Sequence, residues 1–143
     1  MASKKNTSAK ASEAAVGRLR NAGLRPTRQR VALAEMLFRA GHHHLTAESL
    51  HAEAAKAGHR ISLATIYNTL HQFTGAGLLS QVTVDAQRSY FDTNTGDHQH
   101  FFVEADGELI DIPGETIAVA GVPAPPKGMA VDRVDVVVRI KRA

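Results

Sequence analysis

Between residues 12 and 80, apolar positions recur with helical spacing between strong local stops, and the pattern predicts four helices. Ser12 can cap a helix to about Asn21, stopped by Gly23, and Thr27 can cap a second through Arg39, stopped by Gly41. Thr46 opens a third that ends near Gly58. The fourth is the best defined: Ser62 caps it, and Leu63, Ile66, Leu70 and Phe73 form one buried stripe. Its opposite face holds Ala64, Thr65, Tyr67, Asn68, His71 and Gln72, which are small or hydrogen-bonding but carry no full charge. After Gly75 and Gly77, the β-rich runs Leu79 to Val84 and Ser89 to Thr93 flank a short Asp85-Ala86-Gln87 turn, the signal of a hairpin. Helices followed by a hairpin spell a winged helix-turn-helix, in which the helix before the wing enters the major groove of DNA.

Beyond residue 93 the period changes from helix to strand. His98 to Glu104 and Glu108 to Ile112 flank an Ala105-Asp106-Gly107 turn, and valine dominates a final run from Val131 to Ile140. Pro113, Gly114, Pro123, Pro125 and Pro126 leave room only for a short helix around Glu115 to Ala120. The expected class is α+β: a disordered basic tail over 1–11, a winged-helix domain over 12–93, and a small α/β domain over 94–143 whose sheet would pair with a second copy.

Charge sharpens that division. Residues 1–41 hold nine basic against two acidic groups, whereas residues 81–143 hold six basic against ten acidic. A basic front half suits a polyanion, and an acidic stretch seeded with histidine suits a cation. With no cysteine there is neither a disulfide framework nor a thiolate zinc site, and no stretch has the run of apolar residues that a membrane span needs. A cytoplasmic protein is expected.

His98 and His100 stand two apart in an expected strand, so both imidazoles project from one face, about 6.5–7 Å apart at the backbone, and can close on one cation. Gln99 points away. Asp92 lies just upstream, and Asp111 lies on the strand that would pair with the histidine strand. Imidazole nitrogen with carboxylate oxygen suits Fe²⁺, Mn²⁺ or Zn²⁺, and the lack of thiolate favours the harder ions. The His42-His43-His44 run between two helices reads on spacing alone equally well as a solvated loop.

The segments AGLRPTRQR from Ala22, HHLTAE from His43, SLATIYNTL from Ser62 and the stretch from Tyr90-Phe91-Asp92 to Asp97-His98-Gln99-His100 closely resemble, in order and spacing, successive blocks of the ferric uptake regulator superfamily. The resemblance implies a homodimeric winged-helix regulator of transcription that binds double-stranded DNA, with a regulatory metal held by His44, Asp92, His98, His100 and Asp111. It also implies that Tyr67 meets the major groove, with Ser62, Thr65 and Asn68 beside it. Arg25 would enter the minor groove, and phosphate affinity would come from Arg28 and the N-terminal basic residues.

Two departures from the family pattern bear on function. The CxxC zinc motifs are absent, and the positions that flank and split the His-x-His of the family's other metal site hold Asp97 and Gln99, so that second site is not expected. With these departures the chain is most similar to the iron response regulator (Irr) branch, in which haem is the signal and the histidines His42, His43 and His44 are haem candidates, although the Cys-Pro haem motif is lacking. The reading is therefore a regulator of iron and haem genes. The three-histidine, two-aspartate set also fits the peroxide-sensing PerR branch, in which a ligand histidine is oxidised. An enzymatic metal site is the remotest reading, because no candidate general base or pocket-forming insertion accompanies the donors.

Overall fold

A computed structural model describes residues 2–39 and 41–143, with side chains from residue 9 onward. The chain divides into two compact units, Met1–Thr95 and Gly96–Ala143, two residues beyond the boundary expected from the change of period.

The first unit contains α1 (Ala2–Asn21), α2 (Arg28–Phe38), β1 (His44–Leu45), α3 (Ala47–Lys56), α4 (Leu63–Gly75), β2 (Ser80–Thr83) and β3 (Ser89–Asp92). Three of the expected caps are in place: the side chains of Thr27, Thr46 and Ser62 accept from the backbone N–H groups of Arg30, Ser49 and Thr65. Gly23 and Gly58, at φ of 78° and 85°, end their helices in the left-handed conformation that glycine adopts at no steric cost.

The N-terminus differs from expectation. The backbone of residues 2–11, expected as a disordered basic tail, is helical and continuous with the rest of α1, while Met1 lies outside the described residues. No proline or glycine precedes Gly17, so the helix propagates backward from the turn that Ala15 and Leu19 anchor in the core. Ser12 is consequently not a cap. It sits within α1 and donates its hydroxyl to Glu35 of α2.

Leu19, Leu33, Leu37, Leu50, Ile66, Leu70, Phe73 and Phe91 are fully or almost fully buried in one cluster, each worth about 1.5–3 kcal/mol of apolar burial. The sheet runs in the order β1-β3-β2, all antiparallel, and β2–β3 forms the expected wing. Asp85 closes the wing tip: its Oδ1 accepts from the N–H of Gln87 and of Arg88, and its Oδ2 pairs with the Arg88 guanidinium. The two-residue strand β1 was not foreseen.

The second unit is a three-stranded sheet in the order β5-β4-β6, from β4 (His98–Val103), β5 (Glu108–Pro113) and β6 (Val137–Ile140). β4 and β5 are antiparallel with His100 opposite Asp111, and β6 runs parallel to β4 with Val137 opposite His100. The short helix expected at 115–120 is reduced to one 3₁₀ turn, Gly114–Thr116, and only the last four residues of the 131–140 run are strand. The prolines at 123, 125 and 126 hold the intervening chain out of regular structure.

Candidate metal ligands and DNA-facing surface

Within the first unit, the β1–β3 register sets His44 directly opposite Asp92. Thr93 pins the loop before β1: its hydroxyl accepts from the N–H of His43 at 3.0 Å, and its own N–H donates to the His43 carbonyl at 3.2 Å. The Nε2 of His44 lies 3.2 Å from Oδ2 of Asp92, whose side chain is 1% exposed. The other oxygen of that carboxylate accepts from the N–H of Asn94 at 2.8 Å. Keeping a carboxylate ionised at this depth is costly unless a cation, a protonated imidazole or hydrogen-bond donors face it.

Within the second unit, antiparallel pairing brings Asp111 under the histidine pair. The rings of His98 and His100 are 4.6 Å apart between centroids, and the Nε2 of each lies 3.4 Å from Oδ1 of Asp111. Nδ1 of His98 is 2.6 Å from the carbonyl of Gly96. A carbonyl only accepts, so Nδ1 carries the proton and Nε2 turns its lone pair toward the carboxylate. Lone pair facing lone pair is repulsive unless a second proton or a metal cation lies between them. A backbone carbonyl that fixes the tautomer in this way is also how metal-bound histidines are usually oriented. Gln99 turns to the other face, as its place in the strand dictates, and its Oε1 accepts from the N–H of Val136 at 2.6 Å.

The haem candidates are not gathered into one group. His42 is exposed, Nδ1 of His43 faces the Gly41 carbonyl at 3.0 Å, and His44 is directed at Asp92.

On α4, half-buried Thr65 and exposed Tyr67 and Asn68 fall within a single turn, while Ser62 is occupied in capping and donates its hydroxyl to Oγ1 of Thr65. Tyr67 is 37% exposed and its hydroxyl donates to Oε1 of Glu48 on α3. That bond holds the Glu48 carboxyl below its ordinary value and raises the Tyr67 phenol above its own. The Tyr67 ring stacks on His71 at 6.5 Å, and His71 meets Phe91 edge-on at 5.7 Å. Arg25 and Arg28 are exposed where the chain enters α2, and Arg25 lines a groove with Arg30, Asn68 and Gln72. Sequence reasoning placed Gln72 on this face but missed Glu48 and Arg30 as its neighbours. Only the pairing of helices in space brings them there, and no spacing in the chain announces it.

Four helices, a two-residue strand and a wing define a winged-helix protein, here with imidazole and carboxylate donors in both of its units. The model of the ferric uptake regulator family matches residues 21–135, and the chain belongs to that family. Members of this family are regulators of transcription and not enzymes. The chain is 36% identical over 99 residues to the peroxide-responsive repressor PerR of Staphylococcus epidermidis, a match spanning 69% of this chain and 65% of the relative. The chain thus covers just under two thirds of that relative's length. Among solved structures it is similar to the ferric uptake regulator of Pseudomonas aeruginosa with manganese, with a TM-score of 0.67 and 27% identity over 90% of this chain and 97% of that one. It is also similar to the ferric uptake regulator of Vibrio cholerae, with a TM-score of 0.68 and 25% identity over 89% of this chain and 98% of that one. No described helix is long and apolar enough to cross a membrane.

Proposed function

We propose that this protein is a metal-responsive, DNA-binding regulator of transcription that acts as a homodimer on an inverted-repeat operator and follows iron status. Its ligands are His44, Asp92, His98, His100 and Asp111, and its DNA surface is Tyr67 with Thr65 and Asn68 in the major groove, Arg25 in the minor groove and Arg28 on the phosphates. The observation that carries the metal reading is the His98 imidazole, whose Nδ1 is committed to a carbonyl while Nε2 faces the Asp111 carboxylate. The donors are all nitrogen and oxygen, which suits Fe²⁺ or Mn²⁺, with Zn²⁺ able to substitute in vitro. When bound, such a cation supplies the positive charge that lets the histidines and carboxylates face each other, and so favours whichever conformer presents them together.

Each protein element has a share in this scheme. Thr93 and the β1–β3 register hold His44 against Asp92, the β4–β5 register holds Asp111 beneath His98 and His100, and Gly96 sets the His98 tautomer. The uncharged face of α4 leaves phosphate attraction to the basic residues around α2 and base reading to Tyr67. Control of iron and haem genes rests on the likeness to the iron response regulator branch. Haem would have to bind through His42 and His43, since His44 is directed at Asp92.

The test is DNA binding by apo, Mn²⁺-loaded and haem-loaded protein, followed by fluorescence anisotropy at fixed salt on a duplex enriched by the protein from a random pool. Affinity should change at least about tenfold between the apo and Mn²⁺ forms, a coupling typical of allosteric regulators. Equal affinity in all three states would sink the metal-responsive reading.

The 36% identity to repressors named for their response to peroxide supports a second reading, in which oxidation of a ligand histidine releases the DNA. Mass spectrometry of Fe²⁺-loaded protein after peroxide separates the two. One added oxygen on His44 or His98 favours peroxide sensing, and unmodified histidines favour iron sensing.

A further inference from the structure

Arg30 on α2 spends its guanidinium within the protein. Nη1 donates to the carbonyl of Arg25 at 2.9 Å, and Nη2 donates to Oε1 of Gln72 on α4 at 2.9 Å. One planar fork therefore ties the segment that carries Arg25 to the exposed face of the recognition helix. Arg25 and Arg28 are exposed, and neither side chain has a hydrogen bond or ion pair among the described residues, whereas Arg30 is half-buried and engaged at both ends. The groove beside this fork is lined by Arg25, Thr65, Asn68 and Gln72 as well as Arg30, so it joins the residues proposed for the two grooves of DNA.

We infer that Arg30 is a positioning residue for DNA recognition: it fixes where Arg25 stands relative to Tyr67 and Asn68, and so sets the register between minor-groove and major-groove contacts. The inference rests on the DNA-binding reading above. Arginine is suited to this task because its fork is rigid and delivers two donors at a fixed angle, whereas lysine offers a point charge on a flexible stem. A misaligned pair of contacts costs most on a specific sequence, where both must be satisfied at once, and least on nonspecific DNA, where phosphate attraction dominates.

The inference is tested by a double-mutant cycle of Arg30→Ala and Gln72→Ala, with Arg30→Lys as a third variant. Binding of the Mn²⁺-loaded protein is measured on the pool-enriched duplex and on a scrambled duplex across a salt series. Each alanine variant should lose about tenfold in preference for the enriched duplex, and the double variant should lose no more than either single one, as expected of partners in one interaction. Arg30→Lys should keep the nonspecific affinity without restoring the preference. The salt dependence of Arg30→Ala should match wild type, in contrast to Arg25→Ala, whose slope should fall by about one phosphate contact. Additive losses in the cycle, or a slope for Arg30→Ala reduced like that of Arg25→Ala, would show direct DNA contact and overturn the inference. Tyr67→Ala serves as the control for the underlying reading. If Tyr67→Ala keeps wild-type preference, the DNA surface itself is wrongly assigned. If only the Arg30 and Gln72 variants keep it, the positioning role alone fails.

Discussion

The two units hold the proposed metal donors in different ways. In the first, His44 and Asp92 sit on strands pressed against a helical core that includes Phe73, Ile66 and Leu37, and the carboxylate is almost wholly buried. In the second, the buried apolar side chains are Phe102, Leu109 and Ile112, while Ile110, Val119, Val122, Met129, Val131 and Val134 are exposed, among the described residues. A unit this small buries too little surface to be strongly stable alone. Its exposed apolar positions suit coverage by a second copy. The proposed ligands of the first unit thus rest on a packed core, and those of the second on a sheet that buries few apolar side chains of its own.

That contrast can be broken or sharpened experimentally. Phe73→Ala removes a fully buried ring of the first unit and should cost about 3–5 kcal/mol in urea unfolding, whereas Val122→Ala in the second should be nearly silent. Comparable costs would erase the difference in packing. Asp92→Asn keeps the shape of the site and removes the charge of a proposed ligand, so Mn²⁺ affinity should fall about 100-fold in a calorimetric titration while far-ultraviolet circular dichroism stays unchanged. A loss of helix signal would mean that Asp92 serves stability more than binding.

A smaller effect is expected at Gly114, where an added Cβ would lie 2.3 Å from the carbonyl oxygen of Asp97. Gly114→Ala must push back the start of β4, and with it His98, lowering Mn²⁺ affinity about tenfold. If affinity is unchanged, the second unit adapts more freely than a packed sheet would.

The smallest concerns pH. The Tyr67 hydroxyl lowers the Glu48 carboxyl pKa from its ordinary 4.5, so this bond contributes stability above the ordinary range and loses it as pH falls through the depressed value. Tyr67→Phe should move the Glu48 carboxyl titration, followed by carbon NMR, back upward. No movement would mean that the contact does not persist in solution.

What the sequence disclosed follows the range of the forces involved. The caps Thr27, Thr46 and Ser62, the stripe on α4 and the wing are local, decided within a turn or two, and each was readable. Ser12 was misread because serine serves equally well as a cap or as a mid-helix donor, and only the approach of Glu35 from α2 distinguishes the two roles. β1 was invisible because two residues carry no period; its existence depends on β3. For the same reason, periodicity could align His98 with His100, but the place of His44 rested on resemblance, and the register with Asp92 is a nonlocal event. Arg30 and Glu48 were hidden by the same limit, as their partners Gln72 and Tyr67 lie on another helix.

The chain contains two tyrosines and no tryptophan, and Tyr67 and Tyr90 line one cleft between α4 and the wing. Nearly all of the protein's intrinsic ultraviolet fluorescence therefore originates beside the surface proposed to read DNA. An excited phenol gives up its proton readily to a nearby carboxylate, so Tyr67 is dimmed while Glu48 accepts from it. Docking that changes this contact would change the emission, giving an optical record of binding without any label on protein or nucleic acid.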